Sequence, residues 1–394
     1  MKSPDKHRQY DRQTTALHCD REMEVNHGLA PPIAQSVTYF ADDEQDFARR
    51  ATDPMFDSFY ARHGNPTSSR VARVIAELEG AETGMMFSSG MGAISSAVMS
   101  FVQKGDHVVA QANHYIGTTN LITQMLPRYG VEVTKVDQRS PEAFKNAIRD
   151  NTKIILTESP VNPTMQITDL VAVAKIAKEA GVVTMCDNTF ATPINQRPIE
   201  LGIDLVCHSV TKYIGGHHDL LAGCVVGSNE HLERIWETSM VFGAIGAPFN
   251  SWLALRGIRT LALRIKQHNQ NAIALAEMLS QHTAVSEVLF PGLPDHPQHE
   301  LASSQMDGFG GLLSFILKDG YEAGVNFVNK IELAQNAGSL GGVDTLAIQP
   351  AAMWGGLLNE EVLNEQGVVP GMIRVATGIE ATNDLLADFE QALG

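Results

Sequence analysis

Asp187 and Lys212 stand 25 positions apart, and each follows a short apolar run. The first run, Gly181-Val-Val-Thr-Met-Cys186, is made of β-formers and leaves the carboxylate at its C-terminal end. That is the edge of an open α/β sheet at which ligands sit. The second run, Cys207-His208-Ser209-Val210-Thr211-Lys212-Tyr213-Ile214-Gly215-Gly216, sets a lysine between hydroxyl residues and a glycine-rich turn. An amine that condenses with an aldehyde and an acid that keeps a pyridine nitrogen protonated are the two groups pyridoxal phosphate needs. The hydroxyls of Ser209 and Thr211 suit a phosphate held close to the lysine stem. With them present, a surface lysine and an unrelated turn aspartate become the weaker reading.

A phosphate needs more than hydroxyls. Ser88-Ser89-Gly90-Met91-Gly92 precedes a predicted helix, so free backbone N–H groups and the positive helix end converge on one spot. Glycine before a helix is common, and alone this pattern decides little.

The segment Ser209-Val-Thr-Lys-Tyr-Ile-Gly-Gly-His-His-Asp-Leu-Leu-Ala222 resembles the lysine signature of the Cys/Met-metabolism family of pyridoxal-phosphate enzymes. The likeness extends from Pro31-Pro32-Ile33 to Glu380. It implies the fold-type-I PLP transferase-like α/β architecture: a large domain with a mainly parallel sheet and a smaller α+β C-terminal domain. It implies that the backbones of Gly90 and Met91 cradle the phosphate. Tyr60 and Arg62 are expected to reach the phosphate of a neighbouring subunit, which makes the protein a homo-oligomer, expected as a tetramer. Tyr115 matches the tyrosine that stacks on the cofactor ring and can serve as an acid–base group. Arg374 matches the arginine that binds the substrate carboxylate, with Ser339 and Asn162 as its helpers. Lys212, once released, is expected to move the α-proton of an amino-acid substrate.

Departures from the family pattern bear on the substrate. Gly338 stands where cystathionine γ-synthases and γ-lyases usually carry a glutamate. Gly117 replaces a cysteine typical of methionine γ-lyases, and a gapless reading puts Ser239-Met240 where those enzymes carry Lys-Asp. Trp354, in Pro350-Ala-Ala-Met-Trp354-Gly-Gly, replaces part of a common Thr-His pair. A tryptophan face can stack on a flat cation such as the guanidinium end of canavanine; packing of loop against loop explains it equally well. The expected reaction is γ-elimination from a γ-heteroatom-substituted L-amino acid, methionine γ-lyase-like, with canavanine as a candidate substrate. The alternatives are γ-replacement on an O-acylhomoserine and, from another class, a catalytically silent binding protein.

The elements that must position these groups follow from pattern and composition. A chain of 394 residues, 44% hydrophobic with 33 glycines, suits a two-domain α/β enzyme. Net charge of −16 argues against nucleic-acid or anionic-membrane partners. Cys19, Cys186, Cys207 and Cys224 form no CxxC pair and read as reduced thiols, with no metal site expected. The polar first ten residues lack the apolar core of a signal peptide, and a cytoplasmic location is expected. Residues 1–62 show little periodicity and read as an extended arm, which the family resemblance implies completes the neighbouring subunit's site. Residues 63–256 read as the cofactor-binding domain and 257–394 as the C-terminal domain. Helices are predicted over 69–79, from the glycine turn to about 103, and over 118–126, 141–149, 169–180, 263–281 and 383–393. Strands are predicted over 107–110, 132–136, 153–157 and 181–186. Thr168 is the predicted N-cap of the 169–180 helix.

Overall fold

The computed structural model describes residues 10–23, 27–356, 363 and 366–394. Positions 1–9 and 24–26 of the expected arm lie outside them. A seven-stranded sheet is built from β1 (Thr83–Phe87), β2 (His107–Gln111), β3 (Glu132–Val136), β4 (Thr152–Glu158), β5 (Val183–Asp187), β6 (Leu205–Ser209) and β7 (Gly223–Gly227). Its spatial order is β1-β7-β6-β5-β4-β2-β3. Strands β2 to β6 pair in parallel, and β7 runs antiparallel to both its neighbours. A second, wholly antiparallel sheet contains β8 (Val285–Leu289), β9 (Leu312–Leu317), β10 (Leu346–Ile348) and β11 (Met372–Ala376), in the order β10-β11-β9-β8. The expected α/β large domain and smaller C-terminal domain are both present.

Local chemistry explains the elements nearest the candidate site. The helix Pro66–Glu79 starts where the Asn65 side chain accepts the N–H groups of Thr67 and Ser68, with proline at the first helical turn. It stops at Gly80, whose φ of 77° an L side chain seldom adopts. Val71, Val74, Ile75 and Leu78 lie buried on its inner face, as their spacing predicts. They join a core that also takes in Val206, Val210 and Tyr213 around the lysine, Leu312, Leu346 and Ala376 from the second sheet, and Leu340 from the loop that precedes β10. The segment carrying Lys212 is therefore packed between the two sheets.

Two sequence expectations are corrected. The helix Leu170–Ala180 is capped by Asp169, which accepts from the Ala172 N–H at 2.9 Å, and not by Thr168. Thr168 is buried instead, its hydroxyl donating to Gln111 Oε1 at 3.0 Å. The arm is also less extended than expected, since it holds the helices Arg12–His18 and Glu44–Thr52. The second was hidden because its residues are mostly polar, with Phe47 resting edge-on against Phe59 at 5.6 Å. Cys186, Cys207 and Cys224 are buried free thiols, as expected, whereas Cys19 is half-buried. Among the described residues no helix is long and apolar enough to cross a membrane.

Candidate active site

Three adjacent strands end at one edge with polar side chains: Glu158 on β4, Asp187 on β5 and Ser209 on β6. Glu158 and Asp187 are direct register partners. Thr189 ties this edge together. Its backbone N–H and its hydroxyl both donate to Asp187 Oδ1, at 3.0 and 2.5 Å, while its Oγ1 accepts the Ser209 N–H at 2.8 Å. Burial and the neighbouring Glu158 carboxylate push the Asp187 carboxyl upward, and the Thr189 bonds oppose that rise.

Lys212 sits one turn beyond β6, its backbone N–H bonded to Ser209 O at 3.1 Å. Its Nζ donates to Ser339 Oγ at 2.8 Å. Burial and the Arg374 guanidinium lower the pKa of the ammonium, which favours the free amine that attack on an aldehyde requires. Arg374, buried on β11, donates to the backbone oxygen of Ser339 at 2.8 Å, and burial pushes its pKa down to about 10. One residue of the second sheet's loop thus touches both the lysine amine and the guanidinium. Ser339 has a φ of 153°, a value L-residues rarely hold, and such outliers gather at functional sites.

The helix Gly90–Phe101 points its N-terminus at Ser209. Ser89 caps it by accepting the Gly92 N–H at 3.0 Å, leaving the first N–H groups, those of Gly90 and Met91, without intrahelical partners. A Cβ on Gly90 would lie 2.8 Å from Ser209 Cβ, so only glycine permits this approach. The Thr211 hydroxyl is drawn elsewhere, donating to Ala222 O at 3.2 Å and accepting from Ala222 N at 3.1 Å. Tyr115 N–H donates to Glu158 Oε2 at 2.7 Å, and the residue, 46% exposed, stands at the start of the helix Ile116–Asn120.

Tyr60 and Arg62 stand apart from this group. Arg62 Nη1 donates to Met240 O at 3.1 Å, and its guanidinium lies 5.4 Å from the Tyr60 ring centre. Trp354 closes the short helix Pro350–Trp354 and is half-buried. The side chain nearest Gly338 is Met353, whose Sδ would lie 3.5 Å from a Cβ at that position.

The sequence profile of the Cys/Met metabolism PLP-dependent enzymes matches residues 13–394. This chain belongs to that family. It is 43% identical to an L-methionine γ-lyase of Porphyromonas gingivalis over 383 residues, covering 96% of each chain. It is 45% identical to a cystathionine γ-lyase of Bacillus subtilis over 336 residues, covering 85% of this chain and 88% of the relative. A cystathionine γ-synthase structure from Xanthomonas oryzae superposes with a TM-score of 0.92 at 36% identity, covering 98% of each chain.

A PLP-dependent enzyme must offer partners to a charged cofactor and its substrate, and the residues present fit that need. Asn162 Oδ1 and Arg374 Nε are buried with no hydrogen-bond partner among the described residues, so one acceptor and one donor are left for an incoming group. Glu158 and Thr189 carry the geometry of the edge without having been assigned any part from the sequence. The signal for Glu158 was available, because it closes an apolar strand just as Asp187 does. Arg264 gave no such signal. From the helix Leu261–Gln281 it donates to Tyr213 O at 2.6 Å, Ile214 O at 3.3 Å and Gly257 O at 2.7 Å, fixing the turn after Lys212. Gly216, with a φ of 77°, makes room for it, since a Cβ there would lie 2.1 Å from Arg264 Nη1.

Proposed function

We propose that this enzyme is a PLP-dependent lyase that carries out γ-elimination on a γ-heteroatom-substituted L-amino acid. The observation that supports this most is the set of contacts made by Ser339, Lys212 and Arg374: one loop residue bonds both the amine and the guanidinium. Bound pyridoxal phosphate supplies the electron sink for charge formed at the substrate α-carbon. Arg374 binds the substrate carboxylate, and Asn162 adds a polar contact beside it. Lys212 Nζ then takes the α-proton, a β-proton is removed next so that the electron pair left on the β-carbon can expel the γ-substituent, and Lys212 or the Tyr115 phenol protonates the departing group. Asp187 holds the proton on the ring nitrogen. Ser209 and the N–H groups of Gly90 and Met91 bind the phosphate. Thr211 contributes to the same cradle by keeping the Ala222 backbone in place.

The remaining phosphate contact comes from a second copy of the chain. Tyr60 and Arg62 make their bonds away from Lys212, and apolar side chains lie exposed on nearby segments: Phe40 is 89% and Val241 82% accessible. Burial of these side chains against another protomer is the expected use of such a surface, and a homotetramer of two shared-site dimers is the assembly we infer. Neither Arg62→Ala nor Lys212→Ala homo-oligomers should turn over substrate well. Mixing the two should restore activity, because one site in each mixed dimer receives both intact residues. Verified mixed dimers that stay inactive would contradict the shared site.

For the leaving group, Gly338 in place of the cystathionine-selecting glutamate and Gly117 in place of the methionine γ-lyase cysteine favour a non-sulfur or bulky polar substituent. A Cβ at Gly117 would lie 2.7 Å from both Met91 Sδ and Tyr115 Cε1, and Gly338 offers no acid to a second amino-acid end. Trp354, one residue past Met353, is the candidate surface for a flat guanidinium, which favours canavanine among γ-oxyamino substrates. The test is turnover of methionine, cystathionine, homocysteine, O-acetylhomoserine and canavanine, with keto acid, ammonia and the displaced fragment measured separately. Canavanine should release hydroxyguanidine, and Trp354→Ala should lower its kcat/KM by about twofold to thirtyfold while sparing methionine. Methanethiol release without canavanine turnover would return the enzyme to methionine γ-lyase, and replacement products alone would sink the lyase reading.

A further inference from the structure

A buried carboxylate–imidazole pair lies on the face of the large sheet opposite the helix Gly90–Phe101, and no step above uses it. Glu79 is 0% and His208 1% accessible, and His208 Nε2 lies 2.7 Å from Glu79 Oε1. The same Glu79 oxygen accepts from Asn188 Nδ2 at 2.8 Å. Asn188 is held at every polar atom: Nδ2 also donates to Gln196 O at 2.9 Å, Oδ1 accepts from Gln196 Nε2 at 3.0 Å, and its N–H donates to Cys207 O at 3.0 Å. Its chain neighbours are Asp187 and Thr189, the two residues whose bonds organise the strand edge. Glu79 Oε2 and His208 Nδ1 have no partner among the described residues.

A pair this deep is a poor device for stability alone. Buried polar pairs seldom gain more than well-packed apolar side chains of the same volume would. Two thiols face the pair from the sheet, Cys186 on β5 and Cys224 opposite His208 on β7, while the same helix carries the buried Arg70 paired with Asp20, and Glu200 lies against Gly80. Burial pushes both thiols upward, so they stay neutral. Glu79 is also the last residue of the helix that begins just after Tyr60 and Arg62. The pair therefore joins the segment serving one site to the turn that shapes another.

We propose that Glu79 and His208 are positioning residues for the Asp187–Asn188–Thr189 turn, fixing the carboxylate that holds the ring-nitrogen proton of the cofactor. This rests on the reading of Asp187 given above. The experiment compares Glu79→Gln and Asp187→Asn with wild-type holoenzyme. It reads the dissociation constant for pyridoxal phosphate and the pH midpoint of the bound cofactor's visible absorption. Glu79→Gln should weaken cofactor binding by about tenfold or more, the scale seen when outer hydrogen-bond partners of a bound group are removed. It should also move the pH midpoint in the same direction as Asp187→Asn. If Asp187→Asn changes both quantities and Glu79→Gln changes neither, the positioning role is overturned while Asp187 keeps its own. If Asp187→Asn changes neither, the reading of Asp187 fails and takes the proposal with it. Should Glu79→Gln not fold, the low-field imidazole N–H resonance of His208 in wild-type protein decides. It should shift when pyridoxal phosphate is added to the apoenzyme, and an unmoved resonance overturns the proposal.

Discussion

Lys212→Ala is expected to lower turnover by at least about 10⁴-fold, because it removes the amine that both anchors the cofactor and moves the α-proton. The fold should survive. The side chain is half-buried and its one side-chain bond among the described residues is to Ser339 Oγ, so its loss leaves a short hydroxyl rather than a stranded charge. Circular dichroism and assembly state should match wild type, while the visible absorption of the cofactor–lysine adduct disappears. Residual turnover near wild type would mean that another group does this work.

The second large effect is expected at Arg374. Its guanidinium is buried and already committed to Ser339 O through one Nη, with Nε left to meet a substrate oxygen. Removing one partner of a buried charged contact costs about 3–5 kcal/mol, which is roughly 10²- to 10³-fold or somewhat more in kcat/KM. Arg374→Ala should therefore show its loss mainly as a raised KM for every amino-acid substrate tested, with cofactor binding retained. An unchanged KM would move the carboxylate contact to another residue. Arg374→Lys should recover only part, since a point charge cannot reproduce the planar fork.

How much of this site was legible before the fold was known depends on whether a signal was local. Asp187 and Lys212 each follow an apolar run, and strand ends can be read from such runs. The helix Pro66–Glu79 carried its own cap, its apolar spacing and its terminal glycine. Thr189 was different. Its value lies in touching β5 and β6 at once, and a strand pairing supplies that contact where spacing cannot. Ser339 was reachable only by resemblance, because the loop 338–342 meets Lys212 through packing of the second sheet against the first. Arg264 and the Glu79–His208 pair show the same limit, with partners lying 50 and 129 positions away in the chain. The error at Thr168 had another cause. Threonine and aspartate stand side by side, both are good N-caps, and burial of Thr168 against Gln111 decided between them.

Arg62 illustrates a last kind of gap. Its bond to Met240 O describes one chain by itself, whereas the part proposed for it involves two. The mixing experiment is needed for that reason, and its result bears on assembly rather than on the chemistry at Lys212.

The central claim is that Lys212 carries the cofactor within the edge formed by Asp187, Ser209 and the second-sheet loop. Reduction of the holoenzyme with borohydride, followed by digestion and mass spectrometry, tests it most directly. The phosphopyridoxyl group should be found on the peptide containing Lys212, at one group per chain. Its attachment to any other lysine, or its absence from a catalytically active preparation, would contradict the account.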